Sequence, residues 1–552
     1  MPRGAVYLVV PLVIAIAAME RLTHLDVTPR LSGASYDEAV YATGTRLLLH
    51  GILPYRDFFW PHPPVGAVIF SPAMLLDSTA WGGPAAFGAA RQLSLDYGLI
   101  SVLLVFAIGY RLTGLWGAAA ASLAWSLDPR AIGLSTQVIL DGPMVMFSFA
   151  AILAYLAAHP ALAPEASPRR QLIGLALAGG LGMLSALTKG VGVTVLIAMV
   201  LDLAWQRLRP GGGPKQALAR QYGSVLLGAG GVSSIALLPF LIAAPGELVR
   251  QAFFFQLLRP RTEMPLMDRF SAMWERAEYW PILVLAGLGL AVLIISLAVS
   301  WMLPMRRRQH EGQSVTGPVT AGWSLMLLWA LANALVFAST PRAFAQYQLH
   351  VLAALALIAA GIGLIPRWLE RAPPVSVHLR RWELSALMLV LGAVAVQQFP
   401  SWTRGHFGSG STTYGRVSTY ISETVPAAAH LLVLDARVTF IAGREPNRGA
   451  TGYLADPYGH LVYLGLELPH RGLVDMFLGV IRREKNTYSG IARSPSVQAD
   501  LAARFAETDI VIVNKGELSR IGPAAETLDA EAAATTRVGD YLVYTLGPAP
   551  GS

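Results

Sequence analysis

A chain of 552 residues that is 54% hydrophobic and only 14% charged, where an ordinary soluble domain carries about 25% charged residues, cannot fold in water around one core and needs lipid as the solvent for several segments. Its net charge of +8 sits mostly in short loops between apolar stretches, the positive-inside pattern of a multispanning protein rather than a nucleic-acid surface. It contains no cysteine, which excludes a disulfide framework and any cysteine-based metal site.

In chain order, the first apolar run follows Arg3 like a signal peptide but lacks a clear small-residue cleavage site, so it reads as an uncleaved first span. Candidate spans follow the pattern 5–21, 92–110, 114–127, 141–158, 172–188, 190–206, 222–244, 280–303, 321–338, 344–365 and 384–399, eleven in all. The basic clusters Arg169/Arg170, Arg207/Arg209/Lys215/Arg220, Arg306/Arg307/Arg308 and Arg367/Arg371/Arg380/Arg381 orient these spans with their loops in the cytoplasm. The stretch 64–78 is apolar but short, opens on Pro64 and contains Pro72. It is expected to lie at or dip into the outer leaflet, leaving a first outer loop at 22–91. After Phe399, a Gly/Ser/Thr-rich linker (401–415) leads to short β-like runs HLLVLDA, FIAGRE, DIVIVNK and DYLVYTL, with helical stretches near 416–424 and 496–507. The predicted fold is therefore an α-helical polytopic membrane domain (1–400) followed by an extracytoplasmic α/β domain (416–552).

The charged residues of the first outer loop are unusual for so apolar a chain. Ser35, followed three residues later by Glu38, is a capping box. With Tyr36, Val40, Leu47 and Leu48 on one face and Gly51 as a stop, residues 36–50 read as an amphipathic helix on the outer surface. Asp37 and Glu38 either complement the helix dipole or carry chemistry, and the box by itself accounts for Glu38. Tyr55, Arg56 and Asp57, then His62-Pro63-Pro64, make a rigid turn in which Arg56–Asp57 serves as a structural pair or shapes a site. Asp141 sits at the outer end of a span and, with Pro143 behind it, reads as a helix cap. Lys189 lies between two apolar segments with no real loop, where a cation is costly unless it meets water, a partner or a ligand. Loop 245–279 adds Arg250, Arg259, Arg261 and Arg269 among aromatic residues, and a short hairpin near Tyr347 adds Arg342. Cations on the outer side run against the positive-inside trend, and a lipid-linked phosphate gives a reason for them. No HxH or HExxH spacing supports a histidine metal site.

This order of features resembles the type C (GT-C) integral-membrane glycosyltransferases, in particular the branch of the protein O-mannosyltransferases and the lipid A aminoarabinose transferases. The shared features are an Asp-Glu heading the first outer loop, Asp57 before His62-Pro63-Pro64, a Leu-Asp at 140–141, a lysine at an outer helix end and an arginine hairpin near Tyr347. The spacing departs from the family's Asp-x-His-Pro-Pro, with FFWP between Asp57 and His62. The resemblance spans roughly residues 1–400. It implies transfer of a sugar from a polyprenyl-phosphate donor to a hydroxyl of a glycan, lipid or protein acceptor, in the cell (cytoplasmic) membrane with the active site outside. Asp37 would be the base of a single inverting displacement, with Glu38 beside it or holding the helix. Lys189 and Arg342, and less directly Arg259 and Arg261, would hold the donor phosphate. Tyr55, Arg56, Asp57, His62, Asp141 and Tyr347 would shape the site. No cofactor is required, although an acidic pair can hold a divalent metal. The rival readings are a ligase or polymerase with a lipid-diphosphate donor and a lipid-linked sugar flippase; against the flippase stands the lack of an inverted repeat.

Overall fold

The computed structural model describes residues 4–26, 34–76, 80–159, 165–208, 215–260, 265–274, 280–302, 322–340, 345–365, 413–482, 484 and 486–546. The expected span 384–399, Arg261, Arg342 and residues 401–412 of the linker lie outside them.

Among the described residues, six helices are long and apolar enough to cross a bilayer: Val6–His24, Pro84–Thr113, Asp141–Ala158, Pro168–Thr188, Ala217–Ala243 and Trp280–Ala298. Four shorter apolar helices, Val65–Leu75, Gly190–Gln206, Trp323–Ser339 and Gln348–Gly363, accompany them. The chain is a multi-pass membrane protein. The Lys215–Ala243 helix leaves Leu227, Ile235 and Ile242 74%, 80% and 76% exposed, a surface suited to lipid rather than water. Its other side meets Pro168–Thr188 through glycines, because a Cβ on Gly228 would stand 1.8 Å from the Ala176 carbonyl oxygen and one on Gly179 2.1 Å from that of Val225. Such close backbone approach is how helices associate where hydrophobic burial offers no gain.

Leu115–Ser126, expected as a span at 114–127, has 12 residues and so reaches only about 18 Å. From Gly117 to Ser126 every residue is buried inside the bundle. Within 64–76 the apolar helix Val65–Leu75 consists of two short segments, Val65–Val68 and Ser71–Leu75, together well below the roughly 20 residues that cross a bilayer. Gly66 wedges this pair against the bundle, with room for no side chain between Leu140 and the Thr188 carbonyl.

The C-terminal α/β part has a four-stranded sheet. Leu431–Val433 pairs parallel with Ile510–Asn514, which pairs antiparallel with Tyr541–Thr545, which pairs antiparallel with Ala534–Val538. Three of the expected β-like runs supply strands. FIAGRE does not: the Asp435 carboxylate accepts from the Arg437 amide at 3.0 Å and starts a helix, Ala436–Ile441, straight after the first strand. The Thr413–Thr424 helix begins inside the stretch read as linker.

The Tyr36–Leu49 helix also differs from expectation. It is not a surface amphipath, because every residue from Glu38 to Leu47 is buried. Trp60 packs so closely on one side that a Cβ on Gly44 would stand 2.3 Å from the indole, and the Ala436–Ile441 helix covers it on another. The second partner comes from almost 400 residues away, so local periodicity could not register it.

Candidate active site

The capping box forms as the Ser35–Glu38 spacing requires. Ser35 Oγ accepts from the Glu38 amide at 3.3 Å, and Glu38 Oε2 accepts from the Ser35 amide at 2.8 Å. Neighbouring residues on a helix point about 100° apart, so the two adjacent carboxylates diverge. Glu38 points into the fold. Its Oε1 accepts from Arg91 Nε at 2.8 Å and the Val138 amide at 2.9 Å, and its Oε2 also accepts from Arg91 Nη2 at 2.8 Å. With both oxygens engaged and the side chain fully buried, Glu38 is a structural hub tying the first loop to Pro84–Thr113. Of its two expected roles, beside Asp37 or holding the helix, this geometry favours the second.

Asp37 points the other way. Its Oδ2 accepts from Gln346 Nε2 at 3.3 Å. Burial raises its pKa above the ordinary carboxylate range; the Gln346 hydrogen bond and the cations of Lys189 and Arg259 oppose that rise, and the Asp141 charge adds to it. Three expected site residues, from the first loop, the end of Pro168–Thr188 and the 245–260 segment, thus share one electrostatic neighbourhood.

Lys189 ends Pro168–Thr188 and precedes a turn at Gly190–Gly192. Its Nζ donates to Asp141 Oδ2 at 2.6 Å, with both side chains buried, and lies 4.9 Å from the centre of the Tyr347 ring. Asp141 does not cap its helix; it is the first helical residue, its Oδ2 is taken by Lys189, and His350 Nε2 lies 3.3 Å from Oδ1. Arg259 donates from Nη2 to the Tyr347 hydroxyl at 2.8 Å. His62 Nε2 is 3.3 Å from the Tyr41 hydroxyl. Burial, reinforced by the Lys189 and Arg259 charges, pushes the His62 imidazole down to about 3, so it is neutral near pH 7 and serves as a hydrogen-bonding group, not a cation.

These groups meet at one end of a cavity of about 470 Å³. His62, Lys189, Arg259, Tyr347 and His350 line its polar end, and Val191, Val193, Phe253, Leu257, Leu335 and Phe337 its apolar remainder. Val193, Phe253 and Leu335, which line it, are solvent-accessible, so the cavity is open along its apolar side. The first loop is fixed there from two sides. Gln251 Oε1 accepts from the Trp60 amide at 2.9 Å, and Gln256 Nε2 donates to the Pro61 carbonyl at 2.6 Å. Tyr55 takes a left-handed backbone conformation (φ 70°) and its hydroxyl donates to the His62 carbonyl at 2.5 Å. It therefore acts through the position of His62.

Arg56 and Asp57 do not reach the cavity. They pair with each other at 2.7 Å, with Arg56 half exposed. Asp57 Oδ2 also accepts from the Leu53 amide at 2.8 Å, and its carbonyl accepts from the Tyr453 amide at 2.9 Å. Of their two expected roles, structural pair or site-shaping, this geometry favours the pair, in a turn that docks the C-terminal part. Of the other loop arginines, Arg250 pairs with Glu247 at 2.8 Å. Arg269 Nη1 donates to the Ala338 and Thr340 carbonyls at 3.1 and 2.7 Å, closing the Trp323–Ser339 helix.

Sequence reasoning missed Gln346, His350 and Asp456. A histidine two residues into the apolar helix Gln348–Ile358 was the available signal, since an ionisable group in such a helix needs a reason. Asp456, from the C-terminal part, accepts from the Tyr36 hydroxyl at 2.9 Å; the same hydroxyl accepts from the Tyr458 amide at 3.1 Å. Burial raises the Asp456 pKa to about 6, the Gly459 amide and Tyr36 hydroxyl oppose the rise, and the Asp37 charge adds to it. Among the described residues no three His, Asp or Glu side chains are grouped to hold a metal.

The family described as dolichyl-phosphate-mannose-protein mannosyltransferase matches residues 62–211. No curated protein matches the chain. Among solved structures, ArnT from Cupriavidus metallidurans in the apo state superposes with a TM-score of 0.57 at 16% identity, covering 99% of each chain. The same protein bound to undecaprenyl phosphate gives 0.58 at 16% identity, covering 100% of this chain and 99% of that one. The Archaeoglobus fulgidus oligosaccharyltransferase in its apo form gives 0.51 at 13% identity, covering 92% of this chain and 69% of that one. At such identities the likeness is one of fold, and it extends over the C-terminal part as well as the bundle. The chain has the fold of the GT-C glycosyltransferases and, within that fold, resembles the ArnT and protein mannosyltransferase branch.

Proposed function

We propose that the protein is a membrane glycosyltransferase that moves a sugar from a polyprenyl-phosphate donor to an acceptor hydroxyl on the extracytoplasmic face, with Asp37 as the general base. The observation that carries this reading is the electrostatic coupling of Asp37 to Lys189 and Arg259, the two cations that line the polar end of a cavity whose remaining lining is largely apolar. A polyprenyl chain matches the apolar part and its open side, and a phosphate matches the cationic end. The binding of undecaprenyl phosphate by an ArnT of the same fold supports it.

The chemistry follows from the groups. The Asp37 carboxylate takes the proton of the acceptor hydroxyl as its oxygen attacks the anomeric carbon, and the bond from that carbon to the phosphate oxygen breaks with inversion. The leaving phosphate is anionic and needs cations rather than an acid, which Arg259 and Lys189 provide. Asp141 holds Lys189 in place and offsets its charge, so that the product phosphate is not trapped. His62 and Tyr347 direct hydrogen bonds toward the same space. Arg342 and Arg261 remain further candidates for the phosphate.

The sidedness rests on Pro168–Thr188, which carries Arg169 and Arg170 in its first turn and Lys189 just past its far end. The positive-inside trend assigns the arginine end to the cytoplasm and Lys189 to the outside. A reporter in residues 80–83 is expected to read out extracytoplasmically, as is one in 416–552. For the activity, purified protein in vesicles is incubated with a panel of polyprenyl-phosphate sugars. Turnover or thermal stabilisation with at least one of them is expected. A response to lipid diphosphates alone would identify a ligase or polymerase, and no response to either class would overturn the reading.

A further inference from the structure

The C-terminal part carries one helix whose surface does not suit a water-soluble domain. In Leu473–Arg482, Leu473, Val474, Phe477, Leu478 and Ile481 are 49%, 74%, 57%, 37% and 60% exposed. At about 100° per residue these five fall in a single arc of roughly 140°. Met476 and Gly479 are buried on another side, where Met476 and Val480 pack on Phe254, Phe255 and Leu258. Asp475 and Arg482 mark the polar edge, tied down by Arg471, which pairs with Asp475 at 2.8 Å and Glu484 at 2.9 Å. The helix thus has one apolar face docked on the protein and a second, wider one with nothing over it among the described residues.

Its place in the fold says what covers that face. The segment under it, Arg250–Phe254 and Phe255–Leu258, follows the Lys215–Ala243 membrane helix after a single short turn of helix, Pro245–Val249. Phe253 of that segment is 57% exposed and lines the cavity, and Leu241 and Ile242, at the end of the membrane helix, are 44% and 76% exposed. The bare arc of Leu473–Arg482 therefore continues an apolar surface that already faces lipid. A short helix with a wide apolar arc, a charged edge and a position at the end of a span is an interfacial helix.

The geometry points to Leu473–Arg482 as a membrane-surface helix. It rests the C-terminal part on the leaflet at the cavity end of the bundle, with Phe477 and Ile481 among acyl chains beside the open apolar side of the cavity. The occupant of the face is lipid, not a second copy of the chain. This goes beyond the proposed transfer reaction and does not depend on it.

The absence of native cysteine makes the test clean. Single cysteines are placed at Val474→Cys, Phe477→Cys and Ile481→Cys in the full-length chain, with Lys515→Cys on an exposed helix start as the aqueous control. Each is spin-labelled and reconstituted in phosphatidylcholine/phosphatidylglycerol vesicles. Collision rates with oxygen, which partitions into lipid, and with a water-soluble nickel chelate are then compared. At 474, 477 and 481 oxygen access is expected to exceed nickel access several-fold, with the reverse at 515. Nickel access at 474, 477 and 481 equal to that at 515 would overturn the proposal, as would labels shielded from both reagents, which would mean a protein partner. Because the readout is accessibility, it stands whether or not a sugar donor is ever turned over.

Discussion

Asp37 and Glu38 are neighbours in sequence, and replacing each by its amide should have opposite consequences. In Glu38→Gln, one carboxylate oxygen becomes an NH2 group. If the new nitrogen takes the Oε2 place, it faces two donors, Arg91 Nη2 and the Ser35 amide; if it takes the Oε1 place, it faces Arg91 Nε and the Val138 amide. Neither orientation avoids two donor–donor encounters, and Arg91, only 3% exposed, loses its main counter-charge. Two charge-assisted hydrogen bonds at roughly 1.5–3 kcal/mol each, or equally one partner removed from a buried pair, place the loss at about 3–5 kcal/mol. Asp37→Asn disturbs a single 3.3 Å contact with Gln346, and Asn can still accept it. Intrinsic tryptophan fluorescence of purified protein should show Glu38→Gln melting several degrees below wild type and Asp37→Asn close to it. Transfer assays should show Asp37→Asn reduced by roughly 100- to 10,000-fold, the range of a lost general base. A Glu38→Gln protein as stable as wild type, or an Asp37→Asn protein that turns over normally, would refute the division of labour.

Other measurements probe the remaining groups. Asp37 works as a base only when ionised, and burial raises its pKa, so kcat/KM should fall with decreasing pH along a limb lying above the ordinary aspartate value of about 3.9. Gln346→Leu removes a hydrogen bond that opposes the rise and should move that limb to higher pH; an unmoved limb separates Gln346 from the base. Lys189→Met leaves Asp141 buried without its cation and should both destabilise the protein by about 3–5 kcal/mol and abolish transfer. The double variant Asp141→Asn/Lys189→Met should recover much of the melting temperature but not the activity, so recovery of both would remove Lys189 from phosphate handling. Arg259→Gln should raise the donor KM by about tenfold, equal to about 1.4 kcal/mol, with little change in melting; an unchanged KM would exclude a phosphate contact.

What the sequence revealed divides along the range of the interactions. The capping box at Ser35–Glu38 is written within four residues and forms; the long apolar helices end close to where they are expected to, but Pro84–Thr113 and Lys215–Ala243 start well ahead of 92 and 222. Lys189 stood out because a lysine without a loop is costly wherever it lies, and its pairing with Asp141 supplies the compensation. The Leu-Asp pair at 140–141 was legible as a position but not as a partner, since a capping role and a salt bridge look alike in one dimension. Glu38 was ambiguous for the same reason: Arg91 and the Val138 amide are distant in the chain. FIAGRE has β-like composition, but Asp435, five residues ahead of it, starts a helix that takes in Phe440 and Ile441. The buried helix at Tyr36–Leu49 was read as a surface element because nothing local announces that Ala436–Ile441 will close over it.

That closure has a practical consequence. The Tyr36 phenol is gripped by Asp456 and the Tyr458 backbone one residue from Asp37, while the Tyr453 amide is bonded to the Asp57 carbonyl farther along the same loop. The C-terminal part and the bundle are therefore not interchangeable modules. A chimera that kept this bundle and borrowed a carboxy-terminal half from a distant homologue would have to import the matching grip with it, or the loop that carries Asp37 would lose its anchor at Tyr36.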